Sequence, residues 1–174
     1  LLWNTASAHH LTAQLDDLLG DERRALAQAF MARFTTHVLP RLASLRAQVI
    51  HNDYHFHNVL VAPGDPERVV GIIDFGDVVH APLVVEVGTA AAFHMGDTPD
   101  PFDAPAEFVA GFNAVLPLTG AELDVVADLM ATRHLITVLI TEWRAARYPA
   151  NHAYIMKNNP AAWRALRLMA GLSR

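Results

Sequence analysis

The stretch of residues 51–62, HNDYHFHNVLVA, is crowded with side chains that bind metals or move protons. His51, Asp53, His55 and His57 occupy alternate positions, and Asn58 follows directly behind them. On a β-strand this alternation would place the first four side chains on one face, where imidazoles and a carboxylate suit zinc or a similar transition metal. One hypothesis is therefore a metal cage, as in a metal-dependent hydrolase.

The local sequence favours a loop over a strand in this stretch. Residues 51–55 are poor strand formers, whereas residues 48–50 and 59–62 on either side are typical of short strands. A loop between two strands has no alternating face, so the argument for the cage is weakened. Taken alone, the stretch could also be a polar loop whose histidines have purely structural partners.

The spacing of the acidic and amide residues indicates a different chemistry. The loop has the form His51-x-Asp53-x-x-x-x-Asn58, and the tripeptide DFG begins at Asp74. Both patterns, in this order, form the phosphoryl-transfer site of the kinase fold. Asp53 would orient a substrate hydroxyl and take its proton. Asn58 and Asp74 would hold Mg²⁺ against the phosphates of ATP or GTP, because hard cations prefer oxygen ligands.

A predicted β-hairpin joins the two patterns. The strand at residues 59–62 is followed by the turn signal PGDPE, and residues 69–73 form a β-branched run that ends just before Asp74. Antiparallel pairing of these strands would bring Asn58 and Asp74 side by side, although they are distant in sequence. The hairpin is thus expected to assemble the two Mg²⁺ ligands.

Most of the remaining chain has the apolar spacing of helices, so the predicted fold class is α+β and mostly helical. Thr119 and Glu122 form a capping-box pattern at the start of the longest helix, and Pro40 is expected to end or kink the second helix. The loop at residues 96–101 is the expected flexible connection. The predicted helices are residues 8–19, 21–39, 83–95, 104–115, 120–148 and 160–172.

The overall composition excludes several classes of partner. The formal net charge is −5 and the basic residues are scattered, so the chain lacks the basic stripe that follows a nucleic-acid backbone. It contains no cysteine, which excludes disulfides and thiolate chemistry. We see neither a signal peptide nor a membrane-spanning pattern, and we expect a cytoplasmic protein without a nucleic-acid or membrane partner.

The motif-bearing region resembles a known superfamily. VIHNDYHFHNVLV and VVGIIDFGD are similar to the aminoglycoside phosphotransferase and choline kinase superfamily, which is related to the protein kinases. The pieces LLWN, VLPRLASLRAQVIHND and IDFGDVVHAPLVVEVGTAAA resemble its hydroxylysine kinase-like branch. The resemblance implies transfer of a nucleotide γ-phosphate to the hydroxyl of a small, amine-bearing metabolite that is hydroxylysine-, choline-, homoserine- or aminoglycoside-like. Members of this branch also occur fused to aminotransferase domains, which makes such a domain an expected partner.

The resemblance assigns roles to four residues. Asp53 matches the catalytic base of the superfamily, and His51 matches the residue that braces the catalytic loop. Asn58 and Asp74 match the magnesium ligands through which the nucleotide phosphates are held. These assignments agree with the chemistry expected from the residue types.

Several positions near the motifs are less typical of the superfamily. Asn52 stands where glycine is more usual, and Glu86 stands where the branch more often has aspartate, so Glu86 is expected to hold the loop structurally. Asp77 matches an extra acidic residue after the DFG-like turn, with a less defined role. His55 and His57 are candidate substrate contacts, although solvent-facing histidines are common in loops.

Two parts of a complete kinase are missing from the sequence. The single lysine, Lys157, lies far downstream of the motifs, and no glycine pattern GxGxxG is present. The chain also begins at Leu1 rather than at a methionine. We therefore expect residues 1–174 to be the C-terminal lobe of a protein-kinase-like fold, inactive without its N-terminal lobe. The alternatives are a pseudokinase-like binding or regulatory module and, less favoured, the metal-dependent hydrolase.

Overall fold

The computed structural model describes residues 2–96 and 98–172, and most of them lie in helices. A 3₁₀ helix, Thr5–Asp17, precedes the α-helices, and a π-helical turn, Phe34–Val38, joins the first two of them. Within the described residues, no helix has the length and apolar character that a membrane span requires. In chain order the α-helices are α1 Asp21–Arg33, α2 Leu39–Leu42, α3 Leu83–Phe93, α4 Asp103–Val115, α5 Gly120–Arg147, α6 His152–Ile155 and α7 Asn159–Ala170.

The strands form two separate antiparallel pairs. β2 (Val59–Ala62) pairs with β3 (Asp65–Ile72), which confirms the predicted hairpin. β1 (Ala47–Ile50) pairs with β4 (Val79–Pro82). The strand β4 was not predicted, because it is short and its partner is distant in sequence, so no local pattern indicates the pairing.

Two irregular segments connect these strands and carry the candidate chemistry. The HND loop, residues 51–58, runs from β1 to β2 and ends in a 3₁₀ turn, Phe56–Asn58. The DFG turn, residues 73–78, runs from β3 to β4 and contains a second 3₁₀ turn, Phe75–Asp77. Each segment therefore begins in one strand pair and ends in the other.

The strand pairs hold the HND loop and the DFG turn beside each other at both ends. Ile50 lies opposite Val79 where the HND loop begins, and Val59 lies opposite Ile72 where it ends. These four residues are the last paired residues before each segment and the first paired residues after it. The backbone hydrogen bonds of the two ladders therefore fix the separation of the HND loop and the DFG turn.

Helices α3 and α5 pack against each other at the centre of the hydrophobic core. A side chain at Gly88 would place its Cβ 2.5 Å from the Cβ of Leu129, far inside van der Waals contact. Glycine at this position therefore lets the two helix backbones approach closely. Fully buried core residues of the two helices include Val84, Val85, Val87, Leu135, Ile136 and Leu139.

The start of α5 is fixed to the chain that enters β1. The predicted capping box is confirmed: the Glu122 backbone N–H donates to Thr119 Oγ1 at 3.3 Å, and the Thr119 backbone N–H donates to Glu122 Oε2 at 2.7 Å. Arg46 Nε donates to Glu122 Oε1 at 2.7 Å. Burial of Glu122 opposes its ionisation, but the hydrogen bonds from Arg46 and Thr119 outweigh burial and lower the pKa of the carboxyl.

The predicted helices mostly agree with the structure, with differences before β1. The first segment is a 3₁₀ helix rather than an α-helix. Pro40 does not end the second helix, since the chain passes through the π-helical turn and continues helically to Leu42. Proline has no N–H to donate to the preceding turn, and the π turn accommodates this loss. Asp97, within the predicted loop at residues 96–101, lies outside the described residues.

We expect Gly88→Ala to lower the free energy of unfolding by about 1–3 kcal/mol, because the added methyl group overlaps Leu129 in a close-packed core. Gly111→Ala is the matched control, since a Cβ at Gly111 in α4 meets no atom within 4 Å. The measurement is chemical denaturation followed by circular dichroism. Equal stabilities of the two variants would contradict the close approach of α3 and α5.

A second prediction concerns acid stability and His134 of α5. Burial lowers the pKa of His134 to about 4, and its Nε2 atom is buried without a hydrogen-bond partner in the described structure. The unfolded chain binds this proton near pH 6.5, so stability is lost as the pH falls from 6.5 to 4, by up to about 3 kcal/mol. His134→Leu should lose less stability over this range, and parallel pH profiles of unfolding would argue against the prediction.

Candidate active site

Backbone conformation shapes both the HND loop and the DFG turn. Asn52 and Asp74 have positive φ angles of 66° and 64°, in the left-handed region that asparagine and aspartate tolerate better than most residues. Asn52 is fully buried, and neither atom of its side-chain amide has a hydrogen-bond partner in the described structure. Asparagine can thus adopt the backbone geometry that this position requires, at the cost of a buried, unpaired amide.

The two carboxylate oxygens of Asp53 have different surroundings. Asp53 lies in the HND loop outside any strand. Its Oδ1 accepts a hydrogen bond of 2.7 Å from Nη2 of Arg133. Its Oδ2 has long contacts of 3.4 Å with Nδ2 of Asn58 and with Nε2 of His55. Oδ1 is therefore held by a short hydrogen bond, and Oδ2 remains able to accept a shorter one.

The side chain of Asn58 is oriented by the same loop. Its Nδ2 donates to the backbone carbonyl of Asp53 at 2.9 Å, and its own backbone carbonyl accepts from the N–H of Ile73 at 3.0 Å. The first bond turns the amide nitrogen inward, which leaves Oδ1, the oxygen that could bind a cation, out of the contact with Asp53. The second bond places Asp74 next to the residue that pairs with Asn58, as the hairpin prediction requires.

His51 links the HND loop to the DFG turn. Its Nδ1 accepts from the backbone N–H of Asp53 at 3.3 Å, and its Nε2 lies 2.9 Å from the carbonyl oxygen of Ile73. An acceptor at Nδ1 requires the proton at Nε2, which then donates to that carbonyl. The ring also packs against Phe75, with the ring centroids 5.0 Å apart. These contacts fit the bracing role that the resemblance implies for His51.

Glu86 of α3 supports the HND loop from the helical core. Its Oε2 accepts from the backbone N–H of Asn52 at 2.8 Å, and the backbone N–H groups of His51 and Tyr54 also face its carboxyl group. Burial raises the pKa of Glu86, and these donors oppose the rise. The structural role expected for Glu86 thus corresponds to a direct hydrogen bond with the loop backbone at Asn52.

The two histidines considered as substrate contacts lie in different environments. His55 packs its ring against Phe93, with centroids 4.6 Å apart, and its Nδ1 accepts from the backbone N–H of His57. Burial lowers the pKa of His55, although the neighbouring Asp53 opposes this. His57 is exposed to solvent. His55 is therefore the one that lies beside the Asp53 carboxylate.

The geometry does not favour the histidine metal cage. Among the residues that the structure describes, no group of three or more histidine, cysteine, aspartate or glutamate side chains could hold a metal ion. The alternation that suggested the cage requires a strand, and residues 51–55 form none. Both ring nitrogens of His51 are already engaged by the backbone.

Arg133 is the main site residue that sequence reasoning missed. It lies on α5, 6% exposed, and bridges Asp53 Oδ1 and the backbone carbonyl of Trp3. The negative charge of Asp77 also stabilises the guanidinium of Arg133. Asp77 therefore interacts electrostatically with a residue that contacts Asp53. The available signal was a charged residue within a strongly apolar helical stretch, since buried charges are paired.

Exposed apolar side chains surround the HND loop and the hairpin. Every residue of β3 except Gly71 is exposed, and Phe56 and Phe75 are 57% and 61% exposed. Large apolar groups on the surface of a protein commonly mark an interaction face. The remaining exposed apolar residues of this surface are Val49, Leu60, Val61, Val69, Val70, Ile72, Ile73 and Val78.

We expect Glu86→Ala to destabilise the protein by about 1–3 kcal/mol, because it leaves the buried backbone N–H of Asn52 without its acceptor. Glu86→Gln should cost less, since its amide oxygen can still accept from Asn52. Denaturant unfolding measures the stability, and hydrogen exchange of residues 51–54 measures the loop. If the alanine variant matched the parent in both, Glu86 would not support the loop.

Comparisons with known proteins identify the family to which the sequence is similar. Residues 2–129 match the phosphotransferase enzyme family. The matched region covers the HND loop, the DFG turn, α3 and the first turns of α5.

The curated relatives of the chain carry one name. The chain is 27% identical to the hydroxylysine kinase of Danio rerio over 89% of this chain and 44% of the relative. It is also 27% identical to the hydroxylysine kinase of Mus musculus, over 95% of this chain and 46% of the relative. The hydroxylysine kinase of Bos taurus is 26% identical over 99% of this chain and 48% of the relative. The chain thus spans about half the length of these relatives. The family match covers most of the residues of the chain and shows that the chain belongs to the phosphotransferase enzyme family.

Proposed function

We propose that this chain is the catalytic half of a kinase that transfers the γ-phosphate of a nucleotide to the hydroxyl of a small, amine-bearing metabolite. The observation that carries the proposal is the placement of the HND loop beside the DFG turn, with Asp53 and Asn58 oriented by separate hydrogen bonds. Kinase chemistry depends mainly on such positioning and on neutralising the charge of the phosphates.

The donor atoms of Asn58 and Asp74 fit a Mg²⁺ ion. Mg²⁺ prefers oxygen ligands and in kinases is completed by phosphate oxygens and water, so one amide oxygen and one carboxylate suffice from the protein. The amide nitrogen of Asn58 donates to the backbone carbonyl of Asp53, so its amide oxygen Oδ1 remains available as the ligand. When bound, the ion would neutralise charge on the nucleotide phosphates.

Asp53 is the proposed base in the transfer. The acceptor hydroxyl would lie against Oδ2, the oxygen of Asp53 with long contacts. The oxygen of the acceptor hydroxyl would attack the γ-phosphorus, and the bond from that phosphorus to the leaving nucleoside diphosphate would break. The hydroxyl proton would pass to Asp53. His51 and Glu86 hold the loop and take no proton in this scheme.

The rest of the nucleotide site is proposed to lie in an upstream N-terminal lobe. Two observations support this: the chain spans about half of its relatives, and apolar side chains are exposed around the hairpin and the DFG turn. An upstream lobe would cover this surface and provide the lysine that pairs with the phosphates. Residues 1–174 alone should then show no appreciable transfer.

The acceptor class rests on the relatives. They are named hydroxylysine kinase, and hydroxylysine carries both a hydroxyl and amines. We therefore place this chain with kinases of hydroxy-amines, and hydroxylysine is the first acceptor to test. A nucleotide donor and the lack of cysteine fit a cytoplasmic protein.

The test is a phosphoryl-transfer assay with the full-length protein, ATP or GTP, Mg²⁺ and hydroxylysine, choline, ethanolamine, homoserine or an aminoglycoside. We expect Asp53→Asn to lower kcat by about 10² to 10⁴, the usual contribution of a positioned general base. Nucleotide KM should change little, because Asp53 does not hold the phosphates.

The matched control is Asp124→Asn, which makes the same change at an exposed position of α5. It should keep the parent kcat. The proposed mechanism is wrong if Asp53→Asn turns over every accepted substrate as fast as this control. A protein that binds a hydroxy-amine without any transfer would instead be the binding module considered from the sequence.

A further inference from the structure

Arg133 connects the helical core to the candidate base. Its Nη2 donates to Oδ1 of Asp53 at 2.7 Å, and its Nη1 donates to the backbone carbonyl of Trp3 at 3.2 Å. The arginine side chain is 7% exposed and that of Asp53 is 21% exposed. The hydrogen bond therefore reaches from the interior of the protein to a partly accessible carboxylate.

Aromatic rings hold the guanidinium group in place. Its carbon Cζ lies 5.4 Å from the ring centroid of Trp3 and 5.0 Å from that of Phe93. Nε is buried and has no hydrogen-bond partner among the described residues. The plane of the group is thus fixed by the two rings and by its two terminal nitrogens, and these contacts define a single orientation.

The charge of Arg133 is retained although the residue is buried. Burial lowers its pKa, while the carboxylates of Asp53, Asp77 and Glu86 raise it. The ordinary pKa of arginine is so high that the side chain stays protonated in proteins. If the carboxylate of Asp53 moved away, the buried arginine would be left without its partner, which would be costly. The permanent cation therefore keeps the carboxylate in one place.

The donor and the acceptor differ in rigidity. Arg133 stands on α5 next to fully buried residues and one turn after Leu129, which packs against Gly88. Asp53 stands in an irregular loop. A rigid donor that engages only Oδ1 determines which carboxylate oxygen faces outward, and a small misplacement of a reacting group can cost about 10²-fold in rate.

We infer that Arg133 is a positioning residue of the transfer reaction, which holds Asp53 so that Oδ2 faces the acceptor hydroxyl. This inference rests on the proposed function, because it assigns Arg133 a task only if Asp53 is the base. Trp3 and Phe93 form the aromatic support that keeps the guanidinium in its plane. Arg133 itself neither touches the phosphates nor takes a proton.

The experiment compares Arg133→Gln and Arg133→Lys in the full-length protein with ATP or GTP, Mg²⁺ and the best hydroxy-amine acceptor. Arg133→Gln is expected to lower kcat by about 10²-fold while nucleotide KM changes by less than about threefold. Arg133→Lys keeps the charge but cannot reach both partners of the guanidinium, so its kcat should lie between those of the parent and of Arg133→Gln. Arg133→Gln or Arg133→Lys with the parent kcat would overturn the inference.

The control removes a similar ion pair, whose carboxylate lies on the same helix α5 and whose arginine lies on α1. Arg33 Nε and Nη2 donate to the two carboxylate oxygens of Asp128 on α5, at 2.6 and 2.8 Å. Arg33→Gln should lower the unfolding temperature as Arg133→Gln does but should keep the parent kcat. If both arginine variants lose kcat in proportion to their stability, Arg133 is only structural. If Arg133→Gln does not fold, the kcat of Arg133→Lys decides the outcome.

A double variant separates this inference from the proposed function. If Arg133 acts through Asp53, Arg133→Gln should lower kcat by less than about threefold in an Asp53→Asn background, because the orientation of the base no longer matters. A full additional loss of about 10²-fold there would overturn the positioning role and leave the base assignment standing. An Asp53→Asn protein as active as the parent would overturn the proposed function itself.

Discussion

The pairing of β1 with β4 and of β2 with β3 is the constraint on which the candidate site depends. Neither the HND loop nor the DFG turn has regular structure over its length, so each needs fixed ends to keep its shape. The ladders supply them at Ile50 and Val79 on one side and at Val59 and Ile72 on the other. Backbone hydrogen bonds thus set the distance between the two segments at their ends, and the side chain of His51 links them in between.

Helices α3 and α5 then fix the position of these segments relative to the core. Each contributes one charged side chain from the helical core: Glu86 accepts from the loop backbone, and Arg133 donates to the Asp53 carboxylate. The close contact at Gly88 sets the distance between the two helices and hence between these two groups. Buried ions are expensive, and pairing within one cluster offsets part of that cost.

The chain divides into a densely packed helical part and an exposed β part. Helices α3 and α5 bury most of their apolar residues, whereas the hairpin exposes apolar residues on both faces. An isolated two-stranded hairpin with exposed apolar faces is only marginally stable in water. This contrast agrees with a chain that spans about half the length of its relatives. The candidate site lies at the boundary between the two parts.

The sequence by itself determined the elements whose signals are local. The hairpin followed from two β-branched runs around a turn, the start of α5 from Thr119 and Glu122, and the order of Asp53, Asn58 and Asp74 from their spacing. In each case the interacting groups are close in sequence or their residue types are restrictive, so a short window contains the information.

Only the tertiary structure decided the contacts between distant segments. β4 was missed because its partner β1 is far away in sequence, and Arg133 was missed because it and Asp53 are separated by 80 positions. The carboxylate of Glu86 likewise reaches its loop partners only after α3 packs on α5. The free energy of such contacts depends on burial and on the closing of long loops, which no local pattern of residues encodes.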